Sequence, residues 1–278
     1  MTSSQQAGGR SRLPIVIGVA VVAVLVLGAA GIAYMFSGTA PAAVSLGTSS
    51  PATSAPTAAA VPSVAASPSA ASPSAASASA AAASAAASSG TAGGSLDGSW
   101  KVDTSIGSFS DFSGSFVGYR VNENLAQVGS TTAVGRTPKV SGSLTFAGNA
   151  ISAVSITADL TALQSDRSMR DGQLRQQALE TGQFPTATFE LTTPIQLPAA
   201  PTDGQTYSVT AQGKLTLHGV TKDVSIPLQA KLSGGTVTVV GSLKIQFADY
   251  SINPPQSMLV VSVDSFGLME LQLHFTKG

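Results

Sequence analysis

The chain has no cysteine, which excludes disulfides, thiolate catalysis, thiolate metal sites and a lipid-modified N-terminal cysteine together. That absence leaves the redox compartment open. Charge is also scarce. Asp, Glu, Lys and Arg make up 10% of 278 residues, where about 25% is usual. With 14 Lys+Arg against 14 Asp+Glu the formal net charge is zero, so the basic stripe of a nucleic-acid binder is missing and no nucleic-acid partner is expected. His218 and His274 are the only histidines. Neither has a second histidine at ligand spacing, so no metal is expected. No glycine-rich loop links a strand to a helix in the manner of a phosphate cradle. The chain therefore reads as a non-enzyme without catalytic residues or cofactors.

The shortage of charge is confined to one block. From Leu13 to Leu96 no side chain is charged, whereas Asp97 to Gly278 carries 12 Lys+Arg and 14 Asp+Glu, a net −2. Within the block, residues 13–36 run LPIVIGVAVVAVLVLGAAGIAYMF. As a helix this stretch is roughly 36 Å long, enough to cross a hydrocarbon core of about 30 Å. Arg10 and Arg12 precede it and no Lys or Arg follows until Lys101. The positive-inside bias then places a short tail, residues 1–12, in the cytoplasm and the remainder outside. The expectation is a single-pass signal-anchor in the cell membrane. The alternative is a cleaved signal peptide with Ala40-Pro41-Ala42 as its processing site, although the apolar run exceeds the usual ~7–15 residues.

Residues 37–96 are almost entirely Ala, Ser, Pro, Thr and Gly, with a tandem Ser67-Pro68-Ser69-Ala70-Ala71 and Ser72-Pro73-Ser74-Ala75-Ala76. So little apolar bulk cannot offset the entropy of ordering, so the stretch reads as a disordered linker acting as a tether. Its Ser/Thr/Pro density also suits a glycosylated stalk.

From residue 97 to 278 the sequence alternates. Val154, Ile156, Ala158 and Leu160 oppose Ser155, Thr157 and Asp159; Ala187, Phe189 and Leu191 oppose Thr188 and Glu190. Leu215 and Leu217, then Val224 to Leu232, then Met269 to Phe275 repeat the two-residue period. Strands with one apolar face belong to antiparallel sheets. Gly219, Asp203-Gly204 and Gly234-Gly235 supply turns between them. Ser165 to Thr181 breaks the pattern. Met169, Leu174 and Ala178 there stand at near-helical spacing, with Gly172 a break between two short helices and Gly182 a stop. An all-β domain with a short helical insertion closes as a barrel or a sandwich.

Asp166, Arg167, Arg170, Asp171 and Arg175 form the densest charge cluster. They read either as a solvated helical face laced by local ion pairs or as a charged rim able to hold an anionic headgroup. His218 and His274 fall at strand ends or on polar faces, where a solvent-exposed or hairpin-bonded ring is expected.

Three blocks carry a resemblance. They are Arg170-Asp171-Gly172-Gln173-Leu174 followed by Gln183-Phe184-Pro185-Thr186-Ala187-Thr188-Phe189; Gly213 to Lys222, reading GKLTLHGVTK; and the opening Trp100-Lys101-Val102-Asp103, with a weaker echo in Phe247 to Ile252. With the opening first and the other blocks following in chain order, they resemble the YceI-like proteins over essentially all of 97–278. The resemblance implies an eight-stranded, lipocalin-like antiparallel barrel enclosing an apolar tunnel for a polyisoprenoid or similar long-chain amphiphile. It departs at two places, where relatives carry histidines and this chain reads Ser105-Ile106 and Gly118-Tyr119-Arg120, so no ligand contact is carried over there.

A barrel of eight strands is either filled by its own side chains or holds one small ligand. The leading expectation is a carrier whose apolar tunnel is lined by Val154, Ile156, Met169, Leu174, Leu179, Phe184, Phe189, Leu215, Leu217 and Phe247, with Arg167, Arg170, Asp171 and Arg175 at its rim. Its partners would be a long-chain isoprenoid or other lipid, and the membrane through the N-terminal helix. The alternative is a tethered, non-catalytic scaffold module with a solid barrel core.

Overall fold

Period-two alternation becomes strand where it was read, except at Leu160, which opens a 3-10 turn, and His218, which stands in the turn directly after Leu217. The computed structural model describes residues 40–46, 96–126, 128–255 and 260–278. The strands are β1 (Gly98–Val102), β2 (Phe116–Leu125), β3 (Gly129–Thr137), β4 (Val140–Ala147), β5 (Ala150–Asp159), β6 (Gln164–Ser165) and β7 (Thr186–Leu191). After them come β8 (Ile195–Gln196), β9 (Thr206–Leu217), β10 (Val220–Ser233), β11 (Thr236–Gln246), β12 (Val260–Val263) and β13 (Phe266–Lys277). Hydrogen bonding runs β1-β4-β5-β7-β9-β10-β11-β13 and returns from β13 to β1, which closes an antiparallel eight-stranded barrel. Closure leaves these strands no free edge.

β13 serves two neighbours on one side. Its end, Phe275 to Lys277, pairs with β1, while Leu268 to Gln272 pairs with β2. β2 pairs in turn with β3, and β3 with β6. Over part of its height the wall is therefore continued by the β2-β3 hairpin. The β10-β11 turn uses Gly234 and Gly235 at φ 56° and 81°, the left-handed pair that matches the twist of a two-residue hairpin.

The helical insertion differs from the expectation. α1 (Ser168–Gln173) runs through Gly172 without a break and continues as a π-helical turn, Leu174–Ala178, in which the Leu179 amide donates to the Leu174 carbonyl at 2.8 Å. A Cβ at Gly172 would meet nothing within 4 Å, so the glycine lies on an open side of the helix and imposes no kink. Asp171 anchors the element by accepting from the Ser165 amide and hydroxyl at 3.0 and 2.6 Å.

Two apolar clusters stack along the barrel. One is solid, built from Trp100, Val140, Leu144, Phe146, Ala211, Val237, Leu273 and Phe275, with Trp100 and Phe146 edge-on at 5.8 Å. The other gathers Leu160, Leu163, Ala178, Leu179, Leu215, Ile245, Tyr250 and Ile252 beneath the helical insertion. Among the described residues no helix is long and apolar enough to cross a membrane. The span expected at 13–36 and most of the 37–96 linker lie outside the described residues. Residues 40–46, read with the linker, form neither helix nor strand and are hydrogen-bonded to the barrel through Arg120 and Arg136.

Candidate functional site

Above the solid half the barrel is hollow. A cavity of about 730 Å³ lies among the inward residues of β2 (Val117, Tyr119, Val121, Leu125), β9 (Leu215, Leu217), β11 (Ile245) and β13 (Met269). Met169, Leu174, Ala178 and Leu179 of the helical insertion and Phe247 and Ile252 of the 247–252 turn complete its walls. The size is that of a site for one small ligand, and the walls are mostly apolar, as such sites are.

Polar groups gather at the α1 side. Arg170 bonds Glu123 Oε1 at 2.5 Å and also pairs with Asp166 one helical turn before it. Burial works against its guanidinium, but Glu123 and Asp166 outweigh that cost and hold it above its ordinary pKa. Asp166, Arg167, Ser168 and Gln173 share this border with Met169, which is 73% exposed. Deeper in, the Tyr119 hydroxyl is buried and has no hydrogen-bond partner among the described residues. Burial pushes its phenol pKa upward, with Arg170 opposing; the ring lines the cavity while its hydroxyl is packed over Gly135.

Of the residues expected to line a tunnel, Met169, Leu174, Leu179, Leu215, Leu217 and Phe247 stand on the cavity, as do Arg167 and Arg170 from the expected rim. Four do not. Val154 and Ile156 pack against the solid cluster, and Phe189 packs against both clusters without lining the cavity. Phe184 turns instead to His218, ring centroids 4.6 Å apart. Asp171 and Arg175 are likewise off the rim: Asp171 caps Ser165, and Arg175 donates to the Leu163 carbonyl at 3.2 Å. Sequence reading missed Val117, Tyr119, Val121 and Leu125, whose own alternation in Val117-Gly118-Tyr119-Arg120-Val121 was the available signal.

Of the two alternatives expected for the histidines, solvent exposure is the one overturned: both are 8% exposed. His218 occupies the β9-β10 turn at φ 51°, bonded at 3.0 Å to the Tyr250 carbonyl and to Glu180 Oε2. His274 bonds the Ser113 carbonyl at 2.9 Å and Thr238 Oγ1 at 3.0 Å. Neither lines the cavity, and each ring is held by a structural partner.

Residues 98–274 match the YceI-like domain. A UPF0312 protein of Vibrio vulnificus is 28% identical over 166 residues, 56% of this chain and 81% of that protein. Another, from Vibrio parahaemolyticus, is 27% identical over the same coverage. Among solved structures, a polyisoprenoid binding domain from Saccharophagus degradans, implicated in plant cell wall breakdown, has a TM-score of 0.51 at 19% identity, covering 64% of this chain and 98% of that one. That similarity concerns the fold. The barrel, its helical insertion and the match over 98–274 together place the chain in the YceI-like domain family.

Proposed function

We propose that the chain is a membrane-anchored, extracytoplasmic binding protein that holds a polyisoprenoid or another long-chain amphiphile in the hollow half of its barrel. The observation that carries this reading is the cavity of about 730 Å³ walled by Leu, Val, Ile, Phe and Met, with its polar groups gathered on the α1 side. An apolar tail gains about 0.8 kcal/mol for each methylene it buries. A polar end would meet the Arg167/Arg170 border. The polyisoprenoid binding domain with the same fold adds support for the ligand class.

The anchored topology is supported by residues 13–36 and by Arg10 and Arg12 before them. The scaffold alternative fits the solid half of the barrel, and the hollow half favours the carrier. The test is to purify the full chain from a bacterial host in mild detergent, extract it with organic solvent and identify bound lipid by mass spectrometry. A reproducible long-chain lipid near one per chain is expected. A chain that is empty and also fails to take up added polyprenols, quinones or fatty acids would overturn the reading.

A further inference from the structure

The outer face of the β2-β3-β13 wall carries a buried charged cluster that the cavity does not use. Directly opposed residues across Arg136, Gly118 and Glu270 lie in one row, and Arg120 stands two residues along β2 on the same face; Tyr119 and Met269, between them, face the cavity. Glu270 gives one carboxylate oxygen to Arg120 Nε at 2.8 Å and the other to Arg136 Nη2 at 3.2 Å. The Arg136 guanidinium lies 4.3 Å from the ring centroids of both Phe112 and Phe116.

Two arginines against one glutamate leave a positive excess and more donors than the cluster can satisfy. Arg136 Nε, buried, has no acceptor among the described residues. A buried, acceptor-poor cationic cluster draws carbonyl oxygens. Two arrive from far away in sequence. Arg120 Nη2 donates to the Pro41 carbonyl at 2.6 Å, and Arg136 Nη2 donates to the Ala42 carbonyl at 2.8 Å. Burial agrees with a covered outer face. Ala133, Val134, Gly135, Arg136 and Thr137 are all buried in succession, whereas a strand with an open outer side would alternate.

We propose that residues 40–46 are a strap seated on the Arg120–Glu270–Arg136 cluster, which fastens the barrel beside the membrane instead of leaving it at the end of a long stalk. The part about the membrane rests on residues 13–36 being a span. Ala40 comes four residues after Phe36, so a seated strap holds the barrel within about 14 Å of the end of that span. Residues 47–95 then connect two points of one folded unit, since Leu46 and Leu96 both belong to it. A lipid leaving the bilayer would have only a short distance to travel to the cavity, whose wall is the other face of β2.

The absence of cysteine allows a direct test in the full chain. Spin labels on Ser45→Cys in the strap and Ser130→Cys on β3, both at exposed positions, report their separation by double electron–electron resonance in detergent. The expected result is one narrow distance, unchanged on dilution with unlabelled chain. It should broaden over tens of ångströms in Arg120→Ala, and in a variant with residues 40–46 replaced by a Gly/Ser segment of equal length, which leaves every barrel residue intact. A broad distribution in the unaltered sequence would overturn the strap. Loss of the distance on dilution would overturn its intramolecular seating, and a narrow distance persisting in both variants would overturn the cluster as its seat. The readout does not depend on a bilayer or bound lipid. A narrow distance in a chain that alkaline carbonate extracts from membranes would overturn only the fastening beside the membrane, and an empty cavity would overturn only the carrier reading.

Discussion

Arg136 on β3 and Glu270 on β13 are bonded at 3.2 Å although β2 runs between their strands. Gly118 makes this possible. A Cβ there would stand 2.3 Å from the Gly135 carbonyl oxygen and 2.8 Å from Arg136 Cγ, so the arginine reaches its partner only by lying across a position without a side chain. Gly118→Ala should therefore destabilise the barrel by about 1–3 kcal/mol, read as a lower urea midpoint with an unchanged slope.

Glu270 pairs with two arginines and is 1% exposed. Glu270→Ala leaves the buried Arg136 and the partly buried Arg120 without their carboxylate, which costs about 3–5 kcal/mol. The exposed pair Lys214–Asp223, at 3.0 Å, provides the contrast. Lys214→Ala should change the urea midpoint by the equivalent of no more than about 1 kcal/mol.

The solid and hollow halves of the barrel predict opposite responses to added bulk. Ala211 is 2% exposed within the solid cluster, so Ala211→Phe forces a close-packed region apart at about 1–3 kcal/mol. Ala187 lines the cavity, where a phenyl ring has room. Ala187→Phe should unfold within about 0.5 kcal/mol of the unaltered chain, measured by urea titration of lipid-free protein.

How much of this was legible in the sequence depends on distance along the chain. β7, β9, β10 and β13 were readable because their alternation is local, and the three family blocks gave the barrel. Height within the barrel was not readable. Ala211 and Leu215 share the inward face of one strand, yet one sits in the solid cluster and the other beside the cavity; the same ambiguity applies to Val154 and Ile156, which pack against the solid cluster. Burial of Glu270, Arg136 and His274 was equally hidden, because polar residues on an outer face read as solvated. Their covers, such as Pro41, Phe112 and Ser113, come from distant segments. His218 looked like a turn residue and is one, but the Phe184 ring and the Tyr250 carbonyl bury it.

Tyr119 separates stability from binding. Tyr119→Phe removes a buried hydroxyl without a partner, so the lipid-free protein should be as stable as before or more so, by up to about 1 kcal/mol. Because that hydroxyl has no accessible surface and lies over Gly135, a ligand in the cavity loses no hydrogen bond, and its Kd should change by less than about twofold. Urea titration and ligand titration of the same preparation check both halves.

Lipid in the hollow half of the barrel is tested most directly by native mass spectrometry of the delipidated full chain mixed with a polyprenol, beside the Ala187→Phe variant. The expected spectrum shows one polyprenol added per unaltered chain and little or none on Ala187→Phe, with both proteins folded. No adduct on either protein, or equal adducts on both, would contradict it.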